Sequence, residues 1–221
     1  MASRSGLLLL SLASAVIYLS LTLAILHFFH DEPLASLFDH GFGAVPQLLA
    51  GAVFGILAAA GIGFLIWRTP ISGILRDYAI VEMVMNMRFT RFDRIQISLF
   101  AGVGEELLFR GAMQPVLGVW LTSLIFVGMH GYFKFRSPRH ILFGLMMFAL
   151  SVGLGLLYEW AGLIAAITAH AMYDLVMLEF SHRFPAPWSQ ETPEESAGDV
   201  PLRTDRHGPG PAPSPHQTDG H

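Results

Sequence analysis

Residues 95–112 read IQISLFAGVGEELLFRGA, an apolar stretch of helix length interrupted by Glu105, Glu106 and Arg110. A helix crosses a bilayer with ~20 predominantly apolar residues, and this run sits within the usual range. Ionisable side chains are costly in hydrocarbon, so their presence here marks a functional site as well as a span. Two more polar clusters interrupt apolar segments downstream. They are Phe126-Val127-Gly128-Met129-His130 and His170-Ala171-Met172-Tyr173-Asp174. Together the clusters hold enough acids, imidazoles and cation to supply a base, an acid and an oxyanion partner.

Working outward, composition agrees with a membrane protein. The 221 residues are 53% hydrophobic and 14% charged, against ~25% charged in soluble domains. The expected fold is an all-α, polytopic membrane helix bundle. The net charge of −4 is small, with the acids gathered in the C-terminal tail and the polar clusters, so no nucleic-acid partner is indicated. The absence of cysteine excludes disulfides, thiolate nucleophiles and Cys-based metal sites. Twelve of the thirteen basic residues are arginine, which with the Ala/Gly richness reads as a GC-rich bacterial genome.

Six spans are predicted, at 7–29, 46–67, 95–112, 115–133, 140–158 and 162–180, with Pro115 dividing the third from the fourth. The first is read as a retained helix. Its apolar run continues well past the cleavage-like Ala13-Ser14-Ala15, whereas a signal h-region is about 7–15 residues. The second carries Gly51, Gly55, Ala59 and Gly63 at four-residue spacing, a seam suited to close helix packing within the monomer. Between the second and third, Ile74 to Met87 reads as an interfacial amphipathic helix. The chain therefore divides into two N-terminal transmembrane helices (1–69), a core carrying the three clusters (70–182) and a disordered tail (183–221). The loops 68–94 and 134–139 are rich in Arg and Lys while 30–45 has neither. The positive-inside rule then places both termini in the cytoplasm, in a bacterial plasma membrane.

Spacing separates the polar residues. On a helix Glu106 and Arg110 are four apart and face one another, as an ion pair would. Glu105 is rotated about 100° away and is uncommitted, so it is the candidate base. In the competing reading both acids merely tie helices together through Arg110. His170 and Asp174 share one helix face, either as partners in chemistry or as an interhelical hydrogen bond. His130 is a lone histidine, as readily a packing residue as a catalyst, and Phe126 one turn earlier reads as core. In depth, Glu105 lies ~15 Å from the cytoplasmic start of its helix at 1.5 Å per residue. His170 lies at a similar depth and Asp174 about one turn shallower, while His130 falls nearer the surface.

The order Glu-Glu-x-x-x-Arg, Phe-x-x-x-His, His-x-x-x-Asp resembles the three motifs of the CAAX protease and bacteriocin-processing (CPBP, or Abi) family, which contains the type II CAAX prenyl endopeptidases. The resemblance covers about residues 70–180. It implies an intramembrane endopeptidase acting on a membrane-associated peptide or protein within the lipid bilayer. By motif position Glu105 is the base that activates water and His130 its partner. His170 and Asp174 hold the substrate carbonyl and the oxyanion, with Glu106, Arg110 and Phe126 in support. Where the family also allows Asn, this chain has Asp174, which when ionised cannot donate a hydrogen bond. It must be protonated, orient His170 or bind a metal. The family is widely labelled metalloprotease, and Glu105, His130 and His170 would make a His₂Glu set for Zn²⁺. A glutamate-and-histidine mechanism needs no cofactor, and this is the reading expected here. No serine or aspartyl intramembrane-protease motif is present. CAAX processing needs a prenylated cysteine on the substrate, a eukaryotic modification, so a bacterial chain would act on another small peptide. The rivals are a catalytically silent interaction or immunity protein and a proton-coupled transporter, which would use the same groups as a relay.

Overall fold

A computed structural model describes residues 4–183 except 31 and 88, so the expected disorder of the tail falls almost wholly outside the described residues. Every regular element among them is helical. Helix α1 (Arg4–Ile25) runs on through a π-helical turn, Leu26–His30, and α2 spans Ala44–Arg68. After them come α3 (Ala79–Asn86), α4 (Arg91–Glu106), a π-helical segment Leu107–Met113, and α5 (Gln114–Met129). Helices α6 (Pro138–Ala161) and α7 (Leu163–Arg183) complete the bundle.

Among the described residues, five helical stretches are long and apolar enough to cross a membrane. The exteriors of α1 and α2 present Leu9, Leu10, Ile17, Leu49, Val53 and Leu57 to the surroundings, while Glu106, Arg110, Gln47 and Thr22 are buried. Apolar outside and polar inside is the arrangement hydrocarbon imposes, and the protein is an integral membrane protein.

The expected third and fourth spans run together in one 39-residue helical stretch, Arg91–Met129. It breaks at Gly118 (φ 73°, ψ 164°) rather than at Pro115. Pro115 stands in the first turn of α5, where a missing N–H costs least. A positive φ with extended ψ is tolerated by glycine and penalised in residues with a Cβ, so Gly118 is where the chain can reverse. The two legs fold back about it: Arg110 and Phe126, each eight residues from Gly118, meet with the guanidinium 4.7 Å from the ring centre. The predicted amphipathic helix is also split. A 3₁₀ segment, Pro70–Asp77, precedes α3, with Tyr78 between them in extended conformation. Ile71, Ile74 and Tyr78 are buried against Phe143 and Met147 of α6, so this segment anchors in the core.

The small-residue seam of α2 packs within the chain, against α7. A Cβ built on Gly51 would lie 2.4 Å from the Ala165 carbonyl oxygen, and one on Gly55 2.3 Å from that of Ala169. Gly63 meets nothing, so the seam ends at Ala59. Gly55→Val should therefore force α2 and α7 apart. Overpacking of this kind costs about 1–3 kcal/mol, or roughly 2–12 °C in melting temperature, measured on detergent-solubilised protein. Gly63→Val is the matched control, and equal melting of the two variants contradicts close α2–α7 packing.

Candidate active site

The position of α4 is set at both of its ends. A capping box starts it: the Thr90 hydroxyl accepts from the Asp93 amide at 3.3 Å while the Thr90 amide donates to the Asp93 carboxylate at 2.9 Å. Buried Arg94 then ties its first turn to the last turn of α7 through Glu179 at 2.9 Å. At the other end, directly after Glu105 and Glu106, the helix widens into the π segment. Such widenings recur at functional sites because they re-aim side chains.

Glu106 and Arg110 pair as their spacing predicted, at 3.1 Å and with both side chains fully buried. Arg110 also donates to the Ser151 carbonyl and hydroxyl of α6, each at 2.9 Å. Glu106 has a second partner that spacing did not reveal, accepting from His170 Nδ1 at 2.6 Å. It thus bridges the arginine and the histidine. Asp174 Oδ2 lies 3.6 Å from His170 Nε2, one turn along the same helix.

His130, expected nearer the surface than Glu105, lies beside it. Its Nε2 is 3.4 Å from Glu105 Oε2, nearer than His170 Nε2 at 4.0 Å. Helix α5 ends at Met129, and the chain turns inward through Gly131 (φ 69°) with the Tyr132 amide donating to the Val127 carbonyl. That turn keeps His130 beside the acid. Tyr132 stacks on the His130 ring at 5.8 Å, nearly parallel. Burial, then the facing carboxylates of Asp174 and Glu105, push the Tyr132 hydroxyl well above its ordinary value, so it stays protonated.

Hydrogen bonding places a proton on Nδ1 of each ring. A carbonyl oxygen only accepts, so His130 Nδ1 donates to the Phe126 carbonyl at 2.7 Å. Glu106 already accepts from Arg110, so His170 Nδ1 likewise donates to it. Both Nε2 atoms are left facing Glu105 Oε2, a buried oxygen with no hydrogen-bond partner among the described residues. A buried carboxylate oxygen without a donor is costly, and this one marks where a reacting molecule fits. The donor types suit a metal ion, but as placed Glu105, His130 and His170 do not form a binding cluster; among the described residues no group of three or more His, Asp and Glu does. Two ligands on tetrahedral zinc lie ~3.4 Å apart, from bonds of ~2.1 Å, and the 4.0 Å to His170 exceeds that.

The structure thus brings Glu105, Glu106, Arg110, Phe126, His130, His170 and Asp174 into one centre. Sequence reasoning missed Tyr18, whose hydroxyl donates to Glu105 Oε1 at 3.3 Å from α1. Its signal was a phenol amid an uncharged span. Ser151 offered no signal, being one hydroxyl in an apolar helix.

Fold and centre together define a polytopic membrane bundle with a glutamate–histidine site buried between its helices. Residues 88–176 match the family model described as "Type II CAAX prenyl endopeptidase Rce1-like", in agreement with the resemblance read from the motifs. The chain is also 41% identical over 92 residues to "Uncharacterized protein YpbD" of Bacillus subtilis (strain 168), a match covering 40% of this chain and 47% of that protein. The match thus spans about half the length of that relative. No solved structure matches significantly. Tyr18 lies outside the family match, and every other site residue named lies within it.

Proposed function

We propose that the protein is an intramembrane endopeptidase that hydrolyses a peptide bond of a membrane-associated peptide or protein with water activated by Glu105 and His130. The observation that carries this reading is the convergence of two imidazole Nε2 atoms on the unpartnered Glu105 Oε2. A water seated there gives one proton to Glu105, aided by His130, and its oxygen attacks the carbonyl carbon. The charge that develops on the carbonyl oxygen is held by His170, donating from Nε2 when protonated there. Glu106 fixes that ring through Nδ1, and Asp174 lies beside Nε2, so its role is to orient His170. Glu105 then passes its proton to the departing amine. General acid–base transfer of this kind contributes about 10²–10⁴-fold, and an oxyanion donor ~2.7–4 kcal/mol.

No step requires a metal, and cleavage is expected to survive metal removal; loss of activity on adding a chelator, restored by zinc, would overturn that part. The basic loops at 68–94 and 134–139 support a cytoplasmic site opening, with both termini in the cytoplasm of a bacterial plasma membrane. The experiment for the function is cleavage of a membrane-anchored peptide by the purified protein, comparing wild type with Glu105→Gln and His170→Ala. Variants that cleave as fast as wild type remove the assigned roles. A wild type that cleaves nothing favours a silent interaction protein.

Tyr18 makes a second activity prediction. Its hydroxyl holds one oxygen of Glu105 and so aims the other at the water. Tyr18→Phe should lower kcat by about 10–150-fold, the equivalent of one hydrogen bond to a charged group at ~1.5–3 kcal/mol, with KM little changed. An unchanged kcat leaves Tyr18 with a packing role only.

A further inference from the structure

Away from the catalytic centre, a groove of about 550 Å³ runs between the first turn of α4 and the last turns of α7. That volume is typical of ligand sites. Its floor is apolar, from Ile95, Leu175, Val176 and Phe180, and Arg91, Arg94 and Arg183 also line it. The one acid in the lining, Glu179, is already engaged by Arg94 at 2.9 Å and Arg183 at 2.8 Å. Three guanidinium groups against one carboxylate leave two positive charges in excess. Arg91 and Arg183 stay exposed, whereas Arg94 is buried and committed to tying α4 to α7.

Position selects the ligand. Arg91 opens one apolar membrane helix and Arg183 closes another, so the cations sit where the hydrocarbon ends and the headgroups begin. The floor beneath them faces the bilayer: Ile95 and Phe180 are both exposed. A molecule with a negative head and an apolar chain meets both halves of the groove at once. Basic pockets between membrane helices bind anionic headgroups for this reason. We propose that this groove is a binding site for an anionic phospholipid, its phosphate on Arg91 and Arg183 and an acyl chain along Ile95, Leu175 and Val176. A lipid seated there would bridge the two helices that carry Glu105 and His170, and the inference stands apart from whether those residues hydrolyse anything.

The test is lipid binding to the purified full-length chain by native mass spectrometry, with phosphatidylglycerol and phosphatidylcholine in competition. An arginine near the surface contributes ~1 kcal/mol toward an anionic lipid, so two predict about a thirty-fold preference for phosphatidylglycerol. The double variant Arg91→Gln/Arg183→Gln should lose that preference, and Arg136→Gln/Arg139→Gln, in a different basic loop, should keep it. Should the first double variant not fold, Arg91→Gln alone carries the test with about a five-fold loss. Equal binding of the two lipids overturns the proposal. Retention of the preference in the groove variants, or its equal loss in the loop variant, does the same. Displacement of the lipid by inorganic phosphate would show a free-anion site and is equally decisive against it.

Discussion

Glu105→Gln is expected to reduce peptide cleavage by about 10²–10⁴-fold, the usual contribution of a positioned proton acceptor. The exchange keeps the side chain's shape and the Tyr18 contact, so packing is preserved while the base is lost. The carboxylate oxygen that faces the two imidazoles lies 3.4 Å and 4.0 Å from their Nε2 atoms, looser contacts than the 2.6 Å and 3.1 Å bonds of the Glu106 network. Melting temperature should accordingly stay near wild type, or rise as a buried charge is removed. Loss of activity with retained stability separates the catalytic reading from the alternative in which both acids only hold helices together. Loss of both together would favour that alternative.

Arg110→Met is expected to do the reverse, acting first on stability. The guanidinium is fully buried, with Glu106 at 3.1 Å, two Ser151 oxygens at 2.9 Å and the Phe126 ring beneath it at 4.7 Å. Removing one partner of a buried pair leaves a charge without compensation and costs ~3–5 kcal/mol, on the order of 10 °C or more in melting temperature for a chain of this size. The double variant Glu106→Gln/Arg110→Met removes the stranded charge and should recover part of that loss. It should not recover cleavage, because His170 would no longer have the carboxylate that fixes its tautomer. A single variant that melts like wild type contradicts the view that this buried network joins α4 to α6.

These contrasts follow from how differently the two glutamates are placed, and that difference was only half visible in the residue order. Four-residue spacing correctly paired Glu106 with Arg110, because an ion pair on one helix is a local matter. The same spacing was silent on the contact from Glu106 to His170, which joins residues 64 positions apart. His130 was set too near the surface because depth was counted along a straight helix. The inward turn at Gly131 and the reversal at Gly118 bring it back beside Glu105. Tyr18 went unnoticed for a related reason: a phenol in a membrane span has many uses, and only the packing of α1 against α4 selects one.

Hydropathy alone established an integral membrane helix bundle, because a bilayer leaves few ways to satisfy a backbone and long apolar runs declare the choice residue by residue. The three polar clusters and the Rce1-like resemblance were equally readable, since each motif is complete within five or six consecutive residues. Tertiary structure was needed to place the chain reversal at Gly118 instead of Pro115, to bring both Nε2 atoms onto one oxygen of Glu105, and to recruit Tyr18 and Ser151 to the centre. The physical reason is common to all three. A span, a cap or an i,i+4 pair is set by neighbours in the chain, whereas a catalytic centre is set by distances of a few ångströms between helices, which depend on every packed side chain between them.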